Sequence, residues 1–129
     1  VFYSNGTHLY VGADVTLAEQ IDAEQKFFPL LNGGNIFHVW LGEAYSGPEA
    51  LNRLRREIAS TNIGYFAYTK DLTVCGACGA TTSGIAEACP MCGSNRVTVW
   101  SRITGYYQDV SGWNEGKLSE LRRRRRLGA

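Results

Sequence analysis

"CGACGATTSGIAEACPMCG", residues 75–93, contains all four cysteines of the chain in two Cys-x-x-Cys pairs that are separated by ten residues. Each pair allows two thiolates to converge on one metal ion from a tight turn, and Gly79 and Gly93 suit the bend that turns backbone amides toward sulfur. Four thiolates make a tetrahedral site, which favours zinc over iron. The stretch therefore predicts a structural zinc ribbon with the ligands Cys75, Cys78, Cys89 and Cys92.

Two other uses of these cysteines are less consistent with the sequence. A redox dithiol needs one pair, whereas two matched pairs are present. Disulfides are typical of exported chains, and no export signal is visible. A site with four cysteine ligands is coordinatively closed, so we expect the metal to do no chemistry itself. Its expected role is to fix a segment that too few apolar residues would hold.

Composition limits the remaining possibilities. The chain has 129 residues, of which 44% are hydrophobic, so one domain with a buried core is expected. The net charge of +1 argues neither for nor against a polyanionic partner. No apolar run approaches the ~20 residues of a membrane span, and the first residues show no signal peptide, which predicts a soluble, cytoplasmic protein. The chain begins without methionine on "VFY", which suggests a piece of a longer protein or a processed terminus.

Local patterns predict an α+β or α/β fold. A capping box of Thr16 and Glu19 begins one helix, which Asn32-Gly33-Gly34 ends. A second capping box, Ser46 and Glu49, begins another helix with an apolar stripe that ends near Ser60. The predicted strands are "VFYSNGTHLYVG", with a turn at Asn5-Gly6, "NIFHVWL", "IGYFAYT" and "RVTVWSRI". A terminal helix is predicted over "EGKLSELRRRRR".

Zinc ribbons often bind nucleic acids, and this alternative stays open. The ten residues between the cysteine pairs contain no Lys or Arg, and Lys70 and Arg96 are the basic residues that flank the module closely. A phosphate-binding ribbon normally carries a basic and aromatic face, so a structural role is favoured. The run Arg122 to Arg126 could bind phosphates, although a charge run at a chain end is more often solvated or frayed.

Several stretches in a fixed order resemble a known family. "SRITGYYQDVSGWNEGK" contains Arg102-x-x-Gly105-Tyr106, which resembles the signature of glycyl radical enzymes. It follows "NIGYFAYTKDLTVCGACG" and "CPMCGS", with "GADVTLAEQ" and "NIFHVWLGE" upstream. Together they resemble the C-terminal region of the anaerobic, class III ribonucleoside-triphosphate reductases over essentially the whole chain. A zinc module directly before the radical loop distinguishes this family from the lyases that share the glycine motif.

The resemblance implies a three-part division and a radical mechanism. Residues 1–70 would form the C-terminal part of the catalytic barrel, 71–99 the zinc ribbon, and 100–129 the radical loop and terminal helix. A radical S-adenosylmethionine activase would remove a hydrogen atom from the Gly105 α-carbon. The glycyl radical would generate a thiyl radical on a facing cysteine, which takes the ribose 3′-hydrogen before water leaves C2′ and a reductant completes the deoxyribonucleotide.

The chain lacks parts of such an enzyme. All four cysteines belong to the predicted zinc site, so no thiol remains for the thiyl radical. We therefore expect the chain to dock with the remainder of the reductase barrel, as a fragment or a subunit, in an enzyme that is a homodimer and serves DNA replication. Gly112 and Gly116 are alternative radical positions, but neither has the arginine and tyrosine at the required spacing.

The sequence also suggests roles for residues around the site. Arg102 and Tyr106 would anchor and shield the loop, with ordinary packing as the alternative, and Tyr107 and Trp113 could exclude solvent. Two histidines, His8 and His38, lie in apolar segments and are interpreted as hydrogen-bonded core residues rather than metal ligands.

Overall fold

The computed structural model describes residues 6–42, 47–103 and 105–128. Its helices are α1, Leu17–Glu24; α2, Pro48–Ala59; and α3, Glu115–Arg123. Two short 3₁₀ turns, Phe28–Leu30 and Val110–Gly112, accompany them. Among the described residues, no helix combines the length and the apolar character that crossing a membrane requires.

Two of these helices begin at a residue whose side chain caps the helix N-terminus. The predicted capping box at α1 is confirmed, since Thr16 accepts a hydrogen bond from the Glu19 amide and the Glu19 carboxylate accepts one from the Thr16 amide. Helix α3 is capped by Asn114, whose side-chain oxygen accepts a hydrogen bond from the Lys117 amide at 2.9 Å. Helix α2 starts without a side-chain cap at Gly47, and Ser46 of the predicted second capping box lies outside the described residues.

Two strands form a small parallel sheet. Strand β1, Phe37–Leu41, pairs with strand β2, Phe66–Lys70, from Phe37 opposite Phe66 to Leu41 opposite Lys70. Parallel strands need a long crossover, and here α2 provides it. The pair belongs to a mixed α/β fold, and two parallel strands are too few to close a barrel.

A second sheet of four antiparallel strands carries the C-terminal half. Its strands are β3, Leu72–Cys75; β4, Thr81–Ser83; β5, Val97–Arg102; and β6, Tyr107–Asp109. The spatial order is β4-β3-β5-β6. Strand β5 connects the cysteine region with the segment around Gly105, because it begins opposite Cys75 and ends at Arg102.

The hydrophobic core lies between α1, α2 and the parallel strands. Phe37 and Val39 of β1 are almost completely buried, as is Ile58 of α2. The predicted burial of "NIFHVWL" on both faces is confirmed, since four of the five β1 residues are buried. The full cluster is Ile21, Phe37, Val39, Leu41, Leu54, Ile58 and Ile63.

Some predicted elements are wrong or were missed. Residues 1–5 of the first predicted strand, including Asn5 of its turn, lie outside the described residues, and residues 6–12 contain turns and no strand. Helix α1 ends at Glu24, well before Asn32. Strands β3, β4 and β6 were not predicted, because segments of three or four residues give too little alternation to identify. Their positions are decided by pairing with β5 and with one another.

The C-terminal segment folds back along β1. After α3, Leu127 forms a parallel bridge with Leu41 and donates its amide to the Trp40 carbonyl at 2.9 Å. The Arg125 amide donates to the Val11 carbonyl at 2.9 Å. The arginine run is therefore fixed against the body of the protein and is not a frayed end.

Candidate functional site

The two Cys-x-x-Cys turns have the same backbone geometry. In each, a glycine amide donates to the carbonyl of the first cysteine: Gly79 to Cys75 at 3.0 Å and Gly93 to Cys89 at 2.8 Å. Both glycines have left-handed φ values, +74° and +73°. The bend predicted at these glycines is confirmed, because residues with side chains rarely adopt such φ angles.

The four sulfurs lie close enough to bind one ion. All four Sγ atoms are within 4.8 Å of one another, and the pairs Cys75–Cys92 and Cys78–Cys89 are each 3.7 Å apart. Zinc–sulfur bonds of about 2.3 Å in a tetrahedron place sulfurs roughly 3.8 Å apart, so the donor set fits zinc. Zinc itself stays a proposal that rests on this fit.

Backbone hydrogen bonds stabilise the thiolate form of Cys75. The amides of Cys78 and Ala77 lower the pKa of Cys75 to about 6. At Cys92 the amide of Ser94 also lowers the pKa, but the neighbouring thiols and burial outweigh it and raise the pKa to about 12. The difference arises because negative charges accumulate among adjacent sulfurs, so the last proton is held most tightly.

Gly105 lies at the tip of a hairpin formed by β5 and β6. Arg102 pairs with Tyr107, so residues 103–106 connect the two strands. Thr104 lies outside the described residues, and Gly105 is exposed. Strand β5 of this hairpin links the cysteine cluster to the tip, because it runs from the position opposite Cys75 to Arg102.

The described surroundings do not require glycine at position 105. Its φ lies outside the left-handed region, and a Cβ placed there would meet one described neighbouring atom, Ile36 Cδ1, at 3.9 Å. That distance is an ordinary van der Waals contact. Among the described residues, neither the φ angle nor a close contact therefore explains the absence of a side chain at Gly105, whereas the φ angle explains it at Gly79 and Gly93.

The residues around the tip differ in what they contact. Arg102 Nη2 donates to the Gly105 carbonyl at 3.0 Å, and its guanidinium carbon lies 5.6 Å from the centre of the Tyr107 ring. The Tyr107 hydroxyl donates to the Lys70 carbonyl at 2.8 Å. Tyr106 is 63% exposed, whereas Trp113 is buried. The contact of Arg102 supports its predicted anchoring role.

The expectation that the arginine run is solvated is wrong for part of it. The Arg124 side chain is fully buried and pairs with Glu120, with an Nε–Oε1 distance of 2.7 Å. Arg126 pairs with Asp71 at 2.6 Å, and Arg125 pairs with Asp14. No local sequence pattern predicts the contacts of Arg125 and Arg126, whose partners lie 111 and 55 positions away. Arg124 and Glu120, by contrast, have the i, i+4 spacing of a helical ion pair. The nucleic-acid alternative is weakened, since these arginines already have acidic partners.

The two histidines lie near each other and not in the metal site. His8 Nδ1 is 3.0 Å from an oxygen of the fully buried Glu24, which confirms the prediction of a hydrogen-bonded histidine. His38 is buried and stacks on Trp40 with ring centres 4.8 Å apart. Its Nδ1 has no hydrogen-bond partner among the described residues. The predicted burial of His38 is therefore confirmed, but the predicted hydrogen bond is not found at this nitrogen.

Burial of His38 should make stability depend on pH. Its pKa is lowered from 6.5 to about 4, chiefly by burial and then by the charges of His8, Arg102 and Arg124. A lowered pKa means that the neutral form stabilises the fold above pH 6.5, and this stability is lost as pH falls toward 4. We expect a loss on the order of 3 kcal/mol, measured by urea unfolding between pH 7 and pH 4.

The variant His38→Phe keeps a ring on Trp40 and removes the titrating group. It should lose less stability than the original protein over the same pH interval. An identical pH dependence in both proteins would assign the effect to other groups.

Comparison with known proteins places the chain in a family. Residues 1–127 match the family described as anaerobic ribonucleoside-triphosphate reductase. The protein of that name from Escherichia coli (strain K12) is 30% identical and aligns with 95% of this chain and 18% of its own length. The one from enterobacteria phage T4 is 25% identical, and the chain covers 22% of it. The chain thus spans about a fifth of these relatives.

Solved structures agree with the sequence comparison. A structure of an anaerobic ribonucleotide reductase matches 92% of this chain and 19% of its own chain, with a TM-score of 0.74 and 28% identity. The anaerobic ribonucleotide reductase from Thermotoga maritima matches 81% of this chain and 17% of its own, with a TM-score of 0.66 and 31% identity. From its sequence and its fold alike, this chain belongs to the anaerobic ribonucleoside-triphosphate reductase family.

Proposed function

We propose that this chain is the radical-bearing C-terminal part of an anaerobic ribonucleotide reductase and that Gly105 stores the radical. The observation that carries the proposal is an exposed glycine at a hairpin tip where neither φ nor space calls for one. A chemical requirement for an α-carbon without a side chain explains the glycine better than its conformation does. The adjacent amide nitrogen and carbonyl delocalise an unpaired electron at the α-carbon, which favours a planar carbon that a side chain would crowd.

The proposed chemistry is divided between this chain and the rest of the enzyme. A radical S-adenosylmethionine activase takes one hydrogen atom from the Gly105 α-carbon. A cysteine thiol of the remaining reductase then gives its hydrogen atom to that carbon and becomes the thiyl radical. This chain cannot supply that thiol, because all four of its cysteines lie in the sulfur cluster. The thiyl radical acts on the ribonucleotide, whose substrate class is suggested by the names of the relatives.

The sulfur cluster has a supporting role in this proposal. Four cysteine ligands leave zinc no open position, so it neither binds substrate nor polarises it. Cys75 pairs with Val97 at the start of β5, and the far end of β5 leads to Gly105. Zinc bound by the ribbon would therefore hold one end of the strand that presents the loop. We extend the proposal to a cytoplasmic, homodimeric enzyme and to the three-part division at residues 70 and 99.

Spectroscopy of the activated protein tests the proposal. Under strict anoxia, the activase and S-adenosylmethionine should produce an electron paramagnetic resonance doublet, because one α-hydrogen remains on Gly105. Exposure to air should then cleave the backbone at Gly105, which mass spectrometry of the fragments would locate. A chain that stays intact after activation and aeration, or a cleavage at Gly112 or Gly116, would contradict the assignment.

A further inference from the structure

We propose that Arg124 is a positioning residue for the Gly105 loop, which it holds through the last two residues of β5. The inference rests on the proposed function of Gly105. It gives a role to an arginine that lies 19 positions away in sequence and does not contact Gly105 itself.

Arg124 is anchored at the end of α3 by a buried, bidentate ion pair. Its side chain has no exposed surface, and Glu120 is almost fully buried. Arg124 Nε donates to Glu120 Oε1 at 2.7 Å and Nη2 donates to Oε2 at 2.9 Å. The guanidinium also stacks on the Trp40 ring, with its central carbon 3.8 Å from the ring centre. Few alternative positions of the guanidinium preserve both contacts.

The remaining donors of Arg124 reach the end of β5. Nη1 donates to the Ser101 hydroxyl at 2.9 Å, and Nη2 donates to the Arg102 carbonyl at 2.9 Å. Ser101 is fully buried, and its hydroxyl also donates to the Asp71 carboxylate. Arg102 in turn donates to the Gly105 carbonyl at 3.0 Å. A continuous chain of contacts therefore runs from α3 to the proposed radical residue.

The network balances its charges internally. Arg124 and Arg126 face Asp71 and Glu120, with Arg126 bonded to the second oxygen of Asp71. Buried ion pairs are costly to desolvate, and apolar residues of similar volume are often at least as stabilising. An apolar side chain could not donate to a hydroxyl, a carbonyl and a carboxylate at once. The forked, planar guanidinium does so, which points to geometry rather than stability as its contribution.

The experiment compares Arg124→Lys with the control Arg122→Lys in the assembled reductase. Arg122 is an exposed residue in the last turn of α3, two positions before Arg124. Lysine keeps the positive charge near Glu120 but loses the fork. We expect amide hydrogen exchange across residues 101–107 to become roughly tenfold faster in Arg124→Lys, because local opening is easier when two hydrogen bonds to β5 are lost. The control should exchange like the original protein.

The radical yield is the second readout. After anoxic activation, the doublet signal per chain should fall roughly tenfold in Arg124→Lys, since the α-carbon is no longer held in a reactive position. Zinc content and global unfolding should stay close to those of the control. Ser101→Ala removes one of the two contacts to β5 and should give a smaller change in the same direction. If Arg124→Lys fails to fold, Ser101→Ala still tests the positioning role by the same two measurements.

The outcomes separate this inference from the proposed function. If the original protein forms no radical, the proposed function is wrong, while the exchange rates still report whether Arg124 holds the loop. If the radical forms and both variants match the control in exchange and yield, the positioning role is wrong and the proposed function stands. Faster exchange throughout the chain, with loss of zinc, would show a purely structural role and overturn the inference.

Discussion

Gly105→Ala should abolish both the radical signal and the formation of deoxyribonucleotides by the assembled reductase, while leaving the fold intact. A Cβ at this position meets Ile36 Cδ1 at 3.9 Å, and the φ angle lies outside the left-handed region. We therefore expect the free energy of unfolding to change by less than about 1 kcal/mol, as for Gly→Ala at a compatible site. Activity and stability are thus expected to separate, which they would not do at a glycine needed for conformation.

Gly112→Ala provides the matched control. Gly112 lies seven positions further along the chain, and a Cβ there meets nothing described within 4 Å. This variant should keep both the doublet and deoxyribonucleotide formation. Undiminished product formation by Gly105→Ala would end the radical assignment. A large loss of stability in the same variant would instead indicate a conformational role for the glycine.

Cys89→Ser should remove the bound metal and unfold the ribbon. Cys89 is buried, and its Sγ lies 3.7 Å from that of Cys78. Structural zinc contributes an apparent free energy of roughly 10 kcal/mol or more at neutral pH, which is comparable to the whole stability of a typical domain. We expect metal analysis to find one zinc per chain in the original protein and almost none in the variant. The radical yield should fall with it, because β5 loses its anchor.

Met91→Ser is the matched control in the same turn. Met91 lies between two ligands but is 73% exposed, so its loss should leave zinc content and unfolding unchanged. A strong chelator should reproduce the effect of Cys89→Ser in the original protein. Full zinc occupancy in Cys89→Ser would exclude this cysteine as a ligand, and iron in place of zinc would correct the metal.

Elements whose signals are local could be predicted from the sequence. Three of them depend on residues only a few positions apart: the glycines of the Cys-x-x-Cys turns, the capping box at Thr16 and the buried strand of "NIFHVWL". Residues 6–12 were mispredicted as strand, because a strand-like composition does not by itself supply a pairing partner. Pairing is decided by the rest of the fold, and the described structure pairs those residues with no strand.

The amino-acid sequence alone was enough to identify the two Cys-x-x-Cys turns and the family, because both depend on residue types at fixed spacing. The contacts of the arginine run and the position of Gly105 at a hairpin tip became evident only from the folded chain. Asp71, Ser101 and Arg124 meet only after β3, β5 and α3 pack together, and no local pattern encodes a contact across 23 or 30 positions. Contacts of this kind depend on the path of the whole backbone, and for that reason Arg124 of an apparent charged tail lies buried against the end of β5.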